Sequence, residues 1–231
     1  MSVEDRKREA GYAAVDRYVV DGTCIGLGTG TTARWAIERV GERVAAGERI
    51  AAVATSGVTE ALCRERNIPL AGLMDREIAV AIDGADEVAP DFALTKGGGG
   101  ALFREKIVAL AAERFIVIVD GSKLVSQLGA FATPVEVVPF ALPWVRAELH
   151  RAYPGVEARE RAGTNGPFRT DNGNAILDCS FGPITDPAAL DTALRTIAGI
   201  VATGLFYDVA DTVLVAADDG VRELTRATAP D

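Results

Sequence analysis

The chain has a single histidine, His150, so acid–base chemistry in it has to run on carboxylates and lysines. His150 falls in a predicted helix from Trp144 to Tyr153, away from every glycine-rich segment, and reads as surface or partly buried filler. Cysteine is also sparse. Cys24, Cys63 and Cys179 are odd in number and far apart, and none makes a C-x-x-C pair. They read as buried free thiols of a reducing cytosol, not as a metal site. No apolar run reaches the ~18 residues that span a bilayer. Met1 to Arg8 carries both signs of charge with no apolar segment directly behind it, so no secretory signal is expected and a cytoplasmic location is. A basic excess is missing too. The formal net charge of -9 argues against nucleic acid as a partner. A phosphate ligand would gain nothing from long-range steering, and local lysines and helix N-termini would have to attract it.

What the chain does have is a concentration of carboxylates, lysine and glycine. Asp83-Gly84-Ala85-Asp86-Glu87 is followed shortly by Lys96-Gly97-Gly98-Gly99-Gly100. Each glycine weakens a helix or strand by roughly 0.5–1 kcal/mol relative to alanine. Four in a row suggest a backbone whose N–H groups must come close to a ligand. With 231 residues and 48% hydrophobic composition, the chain is long enough for one large domain or two modest ones with a real core.

Strands alternate with helices through the first half. An amphipathic helix, Val3 to Val20, puts Tyr12, Val15 and Val19 on one face. Strands are predicted at Thr23–Leu27, Ile50–Ala54, Glu77–Ile82 and Phe115–Val119, with helices at Ala33–Ala45, from Gly57 to about Arg66, and at Ala101–Glu113. That order implies a parallel α/β sheet, in which ligands bind outside the carboxyl ends of the strands. Gly28–Thr32, Thr55-Ser56, Asp83–Glu87 and Ser122-Lys123 all follow strands and fall at that edge. From about Phe131 prolines punctuate short strands, among them Val135–Val138 and Ala175–Cys179, and Pro187–Ile197 reads as a helix. Thr212–Ala216 returns to the first texture. The expected fold is therefore a Rossmann-like domain, 1–130 plus 207–231, with an inserted α+β, ferredoxin-like domain at 131–206 serving as lid or oligomerisation surface.

The loop Gly26-Leu27-Gly28-Thr29-Gly30-Thr31-Thr32 joins a strand to a helix and suits an anion. It lacks the G-x-G-x-x-G spacing, and the second strand ends in Thr55-Ser56 where a dinucleotide site would want an acid. No Gly-Lys-Thr follows, so a P-loop is excluded, and a small phosphate ester fits better. Asp83 and Asp86, with Glu87, could bind Mg²⁺, hold sugar hydroxyls or move protons, and the residues alone leave these open. Arg104-Glu105-Lys106 reads equally as an exposed charge run or as a place for a base.

In order and spacing, Gly28-Thr29-Gly30-Thr31-Thr32, Asp83-Gly84-Ala85-Asp86-Glu87, Lys96–Leu102, Arg104-Glu105-Lys106 and Asp171-Asn172-Gly173-Asn174 resemble the type A ribose-5-phosphate isomerases over nearly the whole chain. The departures are Gly100 in place of a frequent alanine, Gly121 before Ser122-Lys123, and a longer stretch between Arg161 and Asp171. The resemblance implies isomerisation of ribose 5-phosphate and ribulose 5-phosphate through a cis-enediolate, with no metal and no organic cofactor. It implies that Glu105 is the base and that Lys96, with the amides of Gly97, Gly98 and Gly99, stabilises the oxyanion. It makes Asp83 a helper in ring opening, and Asp83, Gly84, Ala85 and Asp86 a hydroxyl-binding segment. Thr29, Gly30, Thr31, Thr32 and Lys123 become substrate contacts, with Lys123, and Lys7 less directly, on the phosphate side. A glutamate of ordinary pKa, about 4.3, is ionised at pH 7 but is a weak base for a carbon acid, so oxyanion stabilisation has to carry much of the rate. The partners implied are a sugar phosphate and further copies of the chain, as homodimer or homotetramer. The alternative is a non-catalytic sugar-phosphate sensor on the same architecture. Such a sensor is expected to carry a DNA-binding segment and has no need of Glu105.

Overall fold

Apolar runs that end abruptly in glycine, threonine or aspartate set the framework of the computed structural model, which describes residues 2–164, 166–218 and 220–226. In chain order the first half forms α1 (Val3–Tyr18), β1 (Cys24–Leu27), α2 (Ala33–Ala45), β2 (Ala51–Ala54), α3 (Gly57–Glu65), β3 (Ile78–Asp83), β4 (Glu87–Val88), β5 (Leu94–Thr95), α4 (Leu102–Ala111) and β6 (Phe115–Asp120). There follow β7 (Thr133–Val137), α5 (Leu142–Ala152), β8 (Glu157–Glu160), β9 (Ala162–Gly163), β10 (Gly166–Pro167), β11 (Ala175–Ser180), α6 (Pro187–Arg195), β12 (Ile200–Thr203), β13 (Leu205–Phe206), β14 (Thr212–Ala217) and β15 (Gly220–Thr225).

The chain divides into two compact units. The first takes the residues up to Ala85, Arg104–Leu124 and the chain from Val209 on. Its sheet has the order β15-β14-β6-β3-β1-β2. All neighbours are parallel except the edge pair β14–β15. Ile25, Leu27, Val80, Ile82, Ile116, Ile118 and Leu214 form one buried face, covered by Ala10, Ala14 and Val15 of α1 and Ala36, Ile37 and Val40 of α2. Each such aliphatic side chain contributes about 1.5–3 kcal/mol by leaving water. α1 starts in a capping box between Ser2 and Asp5. Tyr12 departs from the expected apolar face. It is half-buried and its hydroxyl donates to Glu42 at 2.7 Å, while the buried face is made by the smaller Ala10, Gly11, Ala14 and Val15.

The second unit takes Asp86–Phe103 and Val125–Asp208. The run β7-α5-β8-β11-α6-β12 forms an antiparallel sheet of order β12-β7-β11-β8, the split βαβ arrangement of ferredoxin-like domains. Val135, Val137, Leu177 and Cys179 pack there against Val145, Leu149 and Leu194 of the two helices. A second sheet has the order β13-β5-β4. The observed boundary differs from the expected one because backbone hydrogen bonds carry 86–103 into this unit. β5 pairs with β13, and the Lys96 amide donates to Gly204 O at 2.8 Å. Residues 125–130 and 207–208 join it as well, while 227–231 of the expected first domain lie outside the described residues.

Among the described residues no helix is long and apolar enough to cross a membrane. Cys24, Cys63 and Cys179 are buried and free, and His150 is exposed on α5.

Candidate active site

In the first unit, parallel register sets Leu27 beside both Ala54 and Ile82, and Asp120 beside Ala216, so the strands end along one edge. Gly28–Thr32, Thr55-Ser56, Asp83–Ala85 and Ser122-Lys123 leave from that edge. Asp83 is buried, and its Oδ1 accepts from the amides of Thr29 at 3.1 Å and Gly84 at 2.7 Å. A Cβ on Gly28 would stand 1.9 Å from that same oxygen. Position 28 is therefore glycine because the Asp83 carboxylate occupies the space a side chain would fill. Position 84 is not held to glycine by space, since a Cβ there would make only ordinary contacts, 3.9 Å from Thr32 Cβ and 3.7 Å from Ile118 O.

The Thr29 hydroxyl is turned inward. It lies 2.8 Å from Thr55 Oγ1, 2.7 Å from Ser56 Oγ and 3.1 Å from Thr59 Oγ1, and Thr59 in turn donates to Gly28 O at 2.8 Å. This cluster ties the loop to the start of α3, so Thr29 shapes the turn through its side chain. Thr31 is exposed, and its hydroxyl accepts from the Lys7 ammonium at 2.9 Å. Thr32 is the N-cap of α2 but makes no capping side-chain bond, and the first turn of α2 holds no acid. By contrast, Ser56 caps α3 through Thr59 N, and Glu60 sits in that first turn. The start of α2 thus carries neither a side-chain cap nor an acid, although the Arg34 and Trp35 amides donate to Gly30 O at 3.0 Å and Thr32 O at 3.1 Å, and its positive dipole end suits an anion.

Lys123 ends the short turn Gly121–Lys123 after β6 and is partly buried. Ahead of it, burial works to raise the Asp120 carboxyl, but the Ser122 hydroxyl and amide and the charges of Lys123 and Arg6 outweigh that and hold it low. Glu105 lies in the first turn of α4 and is only 4% exposed. Its burial overturns the reading of Arg104-Glu105-Lys106 as a solvated charge run. A carboxylate at the N-terminal turn of a helix is stabilised there by the macrodipole.

In the second unit, Lys96 is buried and its ammonium lies 5.5 Å from the centroid of the Phe206 ring. The glycines after it form a turn closed by Gly100 N to Gly97 O at 2.9 Å, with Gly98 and Gly99 exposed. Asp86 is anchored by its own amide to Thr95 O at 2.8 Å, and its Oδ2 accepts from Gly98 N at 2.8 Å. A Cβ on Gly98 would stand 2.6 Å from Asp86 Oδ1. Glu87 has a different role from its neighbours. Its Oε2 accepts from Thr95 Oγ1 at 2.8 Å and Gly129 N at 3.0 Å, and its Oε1 from Phe131 N at 2.8 Å. Both oxygens serve the fold, which removes Glu87 from any metal set. Among the described residues no three His, Cys, Asp or Glu side chains are grouped as a metal ion requires.

A family model for ribose 5-phosphate isomerase A (phosphoriboisomerase A) matches residues 51–220. A ribose-5-phosphate isomerase A from Sphingopyxis alaskensis is 47% identical over 96% of this chain and 97% of its own length. The chain belongs to the ribose 5-phosphate isomerase A family. An isomerase A from Methanothermobacter thermautotrophicus is 45% identical over 94% of this chain and 96% of its own. Among solved structures, a D-ribose-5-phosphate isomerase in complex with phospho-erythronic acid superposes with a TM-score of 0.93 at 42% identity, covering 98% of this chain and 100% of that one. The isomerase A from Methanocaldococcus jannaschii gives 0.92 at 41% identity, over 97% and 100%. These relatives are named as enzymes, which does not favour the sensor reading.

For an isomerase A, the sequence motifs named the loops but missed two residues that shape them. Thr59 is signalled only by its spacing from the N-cap Ser56. Arg161 has no local signal, since its contacts lie far along the chain at Gly97, Gly98 and Asp178.

Proposed function

We propose that this chain interconverts D-ribose 5-phosphate and D-ribulose 5-phosphate by moving a proton between C1 and C2. The reaction is a redox-neutral rearrangement within one molecule and proceeds through a cis-enediolate, with no metal or cofactor. Glu105 takes the proton from one carbon and returns it to the other. C1 and C2 are bonded neighbours, so one carboxylate on one face serves both. Lys96 and the amides of Gly97 and Gly99 meet the negative oxygen that forms, while the Gly98 amide holds Asp86, and Asp83 assists ring opening. Asp86, with Gly84 and Ala85, receives hydroxyls. Gly30, Thr31, Thr32 and Lys123 bind the phosphate end, with Lys7 beside Thr31, and Thr29 holds the loop in shape.

The observation that carries this reading is the near full-length match to isomerases A combined with the burial of Glu105. A relative held with phospho-erythronic acid adds support. A phosphorylated sugar acid presents a planar anionic carboxylate, much like an enediolate. The same reading assigns the protein to the non-oxidative pentose phosphate pathway and to the cytoplasm. The second unit is read as lid and contact surface of a homodimer or homotetramer. The exposure of Phe140 (97%) and Trp144 (56%) supports the contact role.

The test is direct conversion of ribose 5-phosphate to the ketose in D₂O, with exchange at the transferred position. Glu105→Gln is expected to lower kcat by about 10²–10⁴-fold, the usual worth of a general base, while substrate still binds. Retention of most activity would remove Glu105 as the base.

A further inference from the structure

The turn after Lys96 is made only of glycines, so no side chain of its own fixes its peptide planes. Within the second unit one residue grips two of them. Arg161 Nη1 donates to Gly97 O at 2.8 Å and to Gly98 O at 3.1 Å. The rest of the guanidinium is committed to Asp178 on β11. Nε donates to Oδ2 at 2.9 Å, and Nη2 pairs with Oδ1. Arg161 is largely buried, and its Cζ lies 5.8 Å from the Phe168 ring centroid. Phe168 covers the far end of the same turn, where a Cβ on Gly100 would come within 2.3 Å of the ring. The Phe168 amide is itself bonded to Arg161 O at 2.9 Å.

In a trans peptide the carbonyl and the next N–H point in opposite directions. Holding Gly97 O therefore aims the Gly98 N–H away from Arg161, and that N–H reaches Asp86 Oδ2 at 2.8 Å. Holding Gly98 O aims the Gly99 N–H away from Arg161 in the same manner. A flip of the Gly97–Gly98 peptide would turn a carbonyl oxygen toward the Asp86 carboxylate, and a flip of the Gly98–Gly99 peptide would replace a donor with a carbonyl oxygen, which repels an enediolate. We propose that Arg161 is a positioning residue that fixes the glycine turn after Lys96, keeping the Gly98 N–H on Asp86 and aiming the Gly99 N–H as a preorganised donor to the developing oxyanion. This inference rests on the isomerase reading above.

The arrangement needs arginine. Its planar fork can serve a carboxylate on one side and carbonyls on another, whereas a lysine ammonium is a single point that can keep only one of these. The donors act without reorganising during the reaction, so losing their alignment is expected to slow chemistry more than binding.

The full chain carrying Arg161→Lys or Arg161→Ala is to be compared with the wild type on ribose 5-phosphate. Both variants are expected to lose about 10–100-fold in kcat with KM changed by less than about threefold. The isotope effect with substrate deuterated at C2 is expected to rise as proton transfer becomes slower than release. Free guanidinium ion is expected to restore part of kcat to Arg161→Ala but nothing to Arg161→Lys. If Arg161→Ala does not fold, Arg161→Lys, which can still pair with Asp178, gives the deciding values. A kcat in Arg161→Lys within about threefold of wild type, or a loss that only tracks the unfolded fraction in a melting curve, would overturn the role. A wild type without turnover overturns the isomerase reading and this inference with it, whereas an active wild type with unimpaired variants overturns this inference alone.

Discussion

Glu87→Gln separates buried Glu87 from buried Glu105 by its consequences. Glu87 accepts three hydrogen bonds, from Thr95 Oγ1, Gly129 N and Phe131 N. An amide keeps one oxygen and turns the other into an NH₂ donor. Whichever way it is placed, at least one of these donors then faces another donor. A lost hydrogen bond to a charged group costs about 1.5–3 kcal/mol, and the donor left buried without an acceptor adds about 1–3. Removing a buried charge offsets part of this by relieving its desolvation. The net expectation is about 2–4 kcal/mol of lost stability, a large share of the ~5–15 kcal/mol that holds a typical fold. For chains of this size each kcal/mol shifts Tm by roughly 2–4 °C, so the melting point should fall by about 5–15 °C. Thermal unfolding followed by circular dichroism measures that shift. Turnover of ribose 5-phosphate, assayed well below the transition, should stay within about twofold of wild type. An unchanged Tm with a collapsed kcat would return Glu87 to the chemistry and refute its structural assignment.

Lys123→Ala should raise KM by about tenfold or more with a smaller change in kcat, because a uniform phosphate contact favours substrate and transition state alike; a pure kcat loss in steady-state assays would contradict this. Asp120→Asn should cost about 1 kcal/mol at pH 7. The Asp120 carboxyl is held low in the fold, where the Ser122 bonds and the charges of Lys123 and Arg6 outweigh the opposing effect of burial. Its contribution is therefore present above the ordinary carboxylate value and fades as pH falls through the lowered one, so urea midpoints of the two proteins should converge as pH is taken down through the acid range, and a gap that stays equal across the titration would refute it. Burial pushes the Cys63 thiol up to about 11 and Cys179 up to about 12, and raises Cys24 as well. A thiol reagent at pH 8 should label none of them in the native protein and all of them in denaturant, and rapid native labelling would contradict the buried sites.

The first unit was legible because its signals are local. The helix Ala33–Ala45 is bounded by the loop that precedes it, and the apolar strands end in residues that cannot continue them. Some strands escaped notice because they are two-residue pieces, such as buried β4 and β5, and others because they lie at edges where few side chains are buried. β8 reads Glu-Ala-Arg-Glu and buries only Ala158, and β15 carries Arg222 and Glu223 outward beside β14. Such edges show no hydrophobic alternation, because charge keeps them from pairing with other chains. At the site, the aspartates and glycines could be read from their spacing, but Glu105 could not be separated from Arg104 and Lys106 without knowing which of the three is buried. Arg161 was hidden for another reason: its partners come from segments brought together only by folding.

The net charge of -9 still has to be reconciled with an anionic substrate. Exposed charges beyond about 8 Å are screened at physiological salt, so the overall sign affects encounter more than bound-state energy. What decides binding is within a few ångströms, and there the first unit departs from its own average. α1 and α3 place acids in their first turns and cap them with Ser2 and Ser56, whereas α2 has neither. An uncapped helix start is a cost to the fold, about 1 kcal/mol against a Ser, Thr, Asp or Asn that does cap. Thr32 is a residue able to make that cap and does not, while Lys7 reaches across to Thr31 in the same loop. A loop that gives its helix start no acid and no side-chain cap, and that draws in a cation, suits an anion. The phosphate position proposed at Gly30, Thr31 and Thr32 predicts that substrate binding stabilises the first unit through α2.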